Sequence, residues 1–93
     1  MWSDRALTNL KNIIDYLTEA WTPREIQNFS RRLDKRLNLI SHNPHLFPQT
    51  IRRKNVRKSV LTKHTVIYYK TENKIVTIVT LFDPRKNPKR LHL

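Results

Sequence analysis

Glycine and cysteine are both absent from this chain of 93 residues, and acidic residues are scarce, 7 against 19 Lys and Arg. Without glycine, the loops that bring backbone N–H groups close around a phosphate in P-loop and Rossmann turns are excluded. Without cysteine there are neither disulfides nor thiolate metal ligands. No apolar run reaches the 18 residues of a membrane span, and no basic segment followed by an apolar one marks a secretory signal, which leaves the cytoplasm as the expected location. Of the carboxylates, five lie on or beside two helical segments, where they serve caps or pair with basic neighbours; a two-carboxylate glycosidase arrangement is not expected. His42 and His45 bracket Pro44, but no His, Asp or Glu falls in a zinc-like spacing, so neither a metal nor another cofactor is expected.

What the chain does have is positive charge, unevenly placed. The net charge is +12. Residues 1 to 50 hold 7 Lys and Arg against 5 Asp and Glu, a net of +2, whereas residues 51 to 93 hold 12 against 2, a net of +10. Such asymmetry implies a polyanionic partner: RNA, DNA, a ribosome or an acidic protein. A length of 93 residues suits one domain spanning 1–93, and a hydrophobic content of 38% points to a small core that a partner protein helps to complete.

Two helices come first. Ser3 is placed to cap a segment whose apolar residues Ala6, Leu7, Leu10, Ile13, Ile14, Leu17, Ala20 and Trp21 follow the i, i+3, i+4, i+7 pattern of one helical face. The next segment opens TPRE: Thr22 caps, Pro23 fits the first helical position and Glu25 closes a capping box. Its stripe is Ile26, Phe29, Leu33, Leu37 and Ile40, with Arg31, Arg32, Lys35 and Arg36 on the remainder, and Asn43-Pro44 stops it. The very short link predicts an antiparallel helical hairpin.

After a loop with two prolines the period changes from 3.6 to 2. VRKSVL, KHTVIYYKT and KIVTIVTLF read as three strands, the last two joined through Glu72-Asn73. The expected class is α+β, an N-terminal helical hairpin packed on a C-terminal antiparallel β-meander. Trp2 precedes the first helix with only Met1 before it, so a preceding edge strand is expected to be short or missing.

The basic cluster comprises Arg52, Arg53, Lys54, Arg57, Lys58 and Lys63, with His64 beside it; Lys86, Lys89 and Arg90 add to it near the end of the chain. Alternation on a strand sends Lys58 with Val56 and Val60 to one face and Arg57 with Ser59 and Leu61 to the other. One reading is that a sheet face offers cations to phosphates, with Tyr68 or Tyr69 available to stack on a base. The other is that the tyrosines pack and the cations form a solvated edge. Metal-free ribonuclease chemistry needs a base, cations for the crowded phosphate and an acid, and Lys58, His64, Arg85 and His92 are of the right types.

The pattern Trp2, Ala6, Leu10, Ile13, Tyr16, Leu17, then VRKSVLTKHTVIYYK, then IVTLFDPRKNPKRL, resembles the RelE/ParE superfamily of bacterial type II toxins. The resemblance covers almost the whole chain, and residues 56 to 91 are its most specific part. It implies a microbial-RNase-like α+β toxin, encoded in a toxin-antitoxin or plasmid-stabilisation module and silenced by a cognate antitoxin. RelE-like members cut mRNA in the ribosomal A site, whereas ParE-like members poison DNA gyrase and lack the cutting residues. Lys58 matches the basic position on the first strand and Arg85 the Arg just past the last strand. Thr65 stands where RelE-like enzymes keep a strand Arg, and the tail Tyr falls near Leu91, with His92 one residue on. The resemblance thus leans to gyrase inhibition, with a ribosome-dependent endoribonuclease as the alternative and a basic nucleic-acid-binding module that is not a toxin as a third reading. The shortened first strand further implies open backbone donors that an antitoxin segment would fill.

Overall fold

The computed structural model describes all residues except Arg52, Lys54, Asn87, Pro88, Arg90 and His92. Helices α1 (Asp4–Ala20) and α2 (Pro23–His42) are followed by strands β1 (Val56–Thr62), β2 (Thr65–Glu72) and β3 (Ile75–Phe82). The strands form one antiparallel sheet in the order β1-β2-β3. The hairpin lies against one face of it, α1 along β3 and α2 along β1. The expected α+β class and meander are what the chain forms.

The helix boundaries follow from local chemistry. Ser3 Oγ accepts the Ala6 N–H at 3.0 Å and so relieves one of the donors left open at the start of α1. At the start of α2 the capping box is complete: Thr22 Oγ1 accepts from the Glu25 N–H, and Glu25 returns a carboxylate oxygen to the Thr22 N–H, both at 3.3 Å. Only Trp21 and Thr22 separate the two helices, and both are extended.

The main core lies between hairpin and sheet. Ala6, Leu17, Phe29, Leu33 and Ile40 meet Leu61, Ile67, Tyr69, Ile78 and Leu81 there. On the opposite face a smaller cluster forms from Val56, Val66 and Tyr68, with Phe82, Leu91 and Leu93 packed over it. That is why the strands read as apolar on both faces: one face is covered by helices, the other by the end of the chain.

The edges of the sheet decide how it is closed. Outside β3 the expected strand is reduced to an isolated parallel bridge between Trp2 and Ile78. Two of the donors expected to be open there, the Ile78 and Leu81 N–H groups, are satisfied within the chain. The Ile78 N–H bonds to the Met1 carbonyl at 2.8 Å, and the Ser3 N–H bonds to the Ile78 carbonyl at 3.0 Å. The Met1 ammonium donates to the Val76 carbonyl, and Ser3 Oγ to the Val79 carbonyl at 2.8 Å, where β3 bulges against β2. Further along, Asn9 Oδ1 of α1 accepts both the Leu81 N–H and the Thr80 hydroxyl. On the other side, the Thr50 N–H bonds to the Val56 carbonyl and the Lys58 N–H to the Pro48 carbonyl, so residues 48 to 50 of the loop run beside β1. Arg36 of α2 closes the remainder, its Nη1 donating at 2.7 Å to both Ser59 Oγ and the Val60 carbonyl while the guanidinium lies over the Phe47 ring.

The β2–β3 turn lies one residue later than the sequence reading placed it. Asn73 and Lys74 are its two central residues, at φ of 51° and 65°. A two-residue hairpin that matches the right-handed strand twist needs two left-handed residues, a place normally given to Asn-Gly. In a chain without glycine, Lys74 takes the second of them against its steric preference.

Two stability predictions follow from these contacts. Ser3→Ala removes the cap of α1 and the side-chain bond to the β3 bulge together, and is expected to lower unfolding free energy by about 1–2 kcal/mol in a urea titration with an unchanged slope. Lys74→Gly relieves the left-handed strain and is expected to raise it by about 0.5–1 kcal/mol in the same measurement.

Candidate active and target-binding site

Among the described residues proposed for chemistry, Lys58, His64 and Arg85, no hydrogen bond or ion pair joins one to another. Lys58 is exposed on β1, in the row it shares with Tyr68 of β2 and Thr80 of β3. Its neighbours on that face are apolar: Val56 and Tyr68 are buried beneath Leu91 and Leu93. The C-terminal residue is tied down there, since Arg53 Nη1 donates to the Leu93 carbonyl.

Arg57 points to the opposite face, as alternation requires, but not towards a target. Its Nη1 donates to the Phe47 carbonyl at 2.6 Å and to the His45 carbonyl at 3.4 Å, while Nη2 lies 3.2 Å from His45 Nδ1. Arg57 therefore holds the proline loop against β1. The nearby Tyr69 is fully buried, its hydroxyl donating to the Pro44 carbonyl at 2.8 Å, and burial pushes its pKa up. Both Tyr68 and Tyr69 are packing residues, and neither presents a face on which a base would stack.

Arg85 is fixed by its own neighbour. Asp83 ends β3, its Oδ1 accepts the Arg85 N–H at 2.9 Å, and the Lys86 N–H bonds to the Asp83 carbonyl at 3.0 Å, forming a tight turn around Pro84. The same carboxylate takes the guanidinium side-on, with Nε 3.1 and 3.2 Å from its two oxygens and Nη2 2.8 Å from Oδ2. This is the planar fork-to-carboxylate pairing that suits Arg and not Lys. The hydrogen bonds from Arg85 hold the Asp83 carboxyl below its usual range, and those to Asp83 push Arg85 further up. His64 adds a weaker field at Asp83 and Tyr16 of α1 a weaker one at Arg85.

His64 occupies that turn, its N–H bonded to Thr62 Oγ1 at 3.1 Å. Its Nδ1 is buried without a partner among the described residues. Thr65, where RelE-like enzymes keep an Arg, is buried in the sheet. Lys63, Lys86 and Lys89 are exposed. Arg52, Lys54, Arg90 and His92, also expected to take part, lie outside the described residues. Sequence reasoning missed the role of Asp83, although its i, i+2 spacing to Arg85 across a proline signalled it.

Fold and site together define a small basic α+β protein whose exposed cations, on a closed sheet, suit binding to an anionic macromolecule. A family model described as "ParE toxin of type II toxin-antitoxin system, parDE" matches residues 1–88. The chain belongs to this ParE toxin family, and membership implies an antitoxin partner. No curated protein matches the chain. Among the described residues, no helix is long and apolar enough to cross a membrane.

The Asp83–Arg85 pair has a pH signature. In the folded protein the carboxyl releases its proton more readily than in the unfolded chain, so the pair stabilises the fold above the ordinary Asp range, and this contribution is lost as pH falls through the depressed folded value. Asp83→Asn is expected to lower stability only slightly at neutral pH, as an exposed pair should. Urea unfolding of wild type and variant should converge towards low pH; a constant gap would contradict the assignment.

Proposed function

We propose that this toxin arrests growth by binding DNA gyrase rather than by cutting RNA, and that a cognate antitoxin neutralises it in the cytoplasm. The observation that carries the reading is the engagement of Arg85 by Asp83. A guanidinium whose Nε and Nη2 are already taken by a carboxylate is not preorganised to stabilise the charge that builds on a phosphate during cleavage. Two further features support it. Thr65 is buried where a second guanidinium would be needed, and Leu91 and Leu93 occupy the sheet face beside Lys58, where an RNA backbone would have to pass. On this reading Lys58, Lys63, Arg85, Lys86 and Lys89 contact the target as a basic surface, and no residue acts as acid or base.

The ribosome-dependent ribonuclease is retained as a second reading because Lys58 is exposed, with no bond of its side chain to another described residue. Such a lysine is free to meet RNA, and a ribosome supplies electrostatics that an isolated protein lacks.

Induction in a bacterial host with labelled precursors separates the two. The expected result is filamentation, an SOS response and gyrase-linked DNA breaks while amino-acid incorporation continues at first. Immediate loss of incorporation with cuts in A-site codons would overturn the proposal. Arg85→Ala is expected to raise surviving colony counts at least tenfold; full toxicity in that variant would remove Arg85 from the target surface.

A further inference from the structure

A second basic surface lies on α2 and uses neither Lys58 nor Arg85. Asn28, Arg31, Arg32, Lys35, Arg36 and Leu39 line a shallow groove of about 350 Å³. Their spacing of three and one residues in alternation places them on a single helical face. Arg36 is drawn towards β1 by its bonds to Ser59 and Val60, which fixes the groove beside that edge of the sheet. Arg31, Arg32 and Lys35 are exposed and make no ion pair or hydrogen bond within the described residues. The two carboxylates of α2 do not neutralise them: Glu25 belongs to the capping box, and Asp34, three residues from Arg31, forms no ion pair with a described residue.

Unpaired like charges crowded on one helical turn destabilise the free protein. Their geometry indicates the anion that relieves this. The groove offers three guanidiniums and an ammonium but only one apolar residue, the half-exposed Leu39, so a protein helix that docks through apolar anchors at i, i+3, i+4 and i+7 finds little to hold. It contains no aromatic residue, and single-stranded nucleic acid is held largely by stacking on aromatics. What remains is a row of exposed cations on one helical face, and the partner such a row suits without apolar or stacking contacts is the regularly spaced phosphate backbone of a duplex.

We infer that the Arg31–Arg32–Lys35 face of α2 binds the phosphate backbone of duplex DNA without reading sequence. The planar guanidiniums grip phosphate oxygens, Lys35 adds a point charge, and Asn28 is placed to donate a neutral hydrogen bond. This surface is separate from the one assigned to the toxin's target and stands whether or not that target is gyrase.

The test is fluorescence anisotropy with the full chain and a labelled mixed-sequence DNA duplex of about one to two helical turns, titrated over a range of salt. Each phosphate contact contributes about −0.9 to the slope of log affinity against log salt, so the combined variant Arg31→Ala, Arg32→Ala, Lys35→Ala is expected to make the slope shallower by about 2.7. At ~0.1 M salt that corresponds to a loss of roughly 500-fold relative to a ~1 M reference. Arg31→Lys with Arg32→Lys, which keeps the charge, should retain the slope and guards against a folding artefact, with circular dichroism as a check. Lys58→Ala with Lys63→Ala removes charge elsewhere and should change the slope by less than half as much. An unchanged slope in the triple variant, an equal loss in the Lys58 and Lys63 variant, or tighter binding to an RNA duplex of the same sequence would each overturn the assignment.

Discussion

A sheet of three strands has as many edges as a sheet of six, and in a chain this small the closure of those edges is the constraint on which the rest depends. Unpaired backbone groups along a strand invite another strand. Here three residues cover β3: Met1 and Ser3 supply main-chain partners, Ser3 Oγ reaches the bulge, and Asn9 Oδ1 takes the Leu81 N–H and the Thr80 hydroxyl. Ser3 both caps α1 and binds β3, so the edge is closed only when α1 starts at the right place and leaves at the right angle. The helix then covers the apolar face, and α2, two residues further on, has little choice but to return along β1. There Arg36 and the proline loop close the opposite edge.

The same closure sorts the basic residues. A chain of net charge +12 invites the view that all its cations face a partner, yet several have structural posts. Arg85, though forked with Asp83, keeps its side chain exposed, but Arg36 holds the β1 edge, Arg57 the loop and Arg53 the end of the chain. In each case a planar guanidinium satisfies oxygens that would otherwise be left open, a task for which an ammonium is less suited. The cations left without such posts include Lys58 on one face of the sheet and Arg31, Arg32 and Lys35 on α2. Net charge therefore overstates the functional surface, and strand position alone does not distinguish a structural Arg from a target-facing Lys one residue away.

Much of the architecture was legible before any coordinates. The caps at Ser3 and Thr22-Glu25 and the 3.6-residue stripes act locally, through bonds between residues three or four apart, and the helices begin where those signals stand. The change to a period of two marked the strands for the same reason. The β2–β3 turn was misplaced by one residue because, without glycine, the left-handed pair Asn73-Lys74 carries no Asn-Gly signature. The expected open edge outside β3 was closed by Asn9, a helix residue 72 positions from Leu81 and invisible to any local pattern.

By itself the sequence determined the order of helices and strands, the concentration of charge in the second half, and enough of the family pattern to place the chain among these toxins. Only the tertiary structure decided which cations are free. Whether an arginine meets a target or a carbonyl depends on groups brought to it from distant segments, as the Pro48 loop is brought to β1 and the last leucines to Tyr68. Such neighbours are set by the packing of the whole chain, and no spacing along it records them.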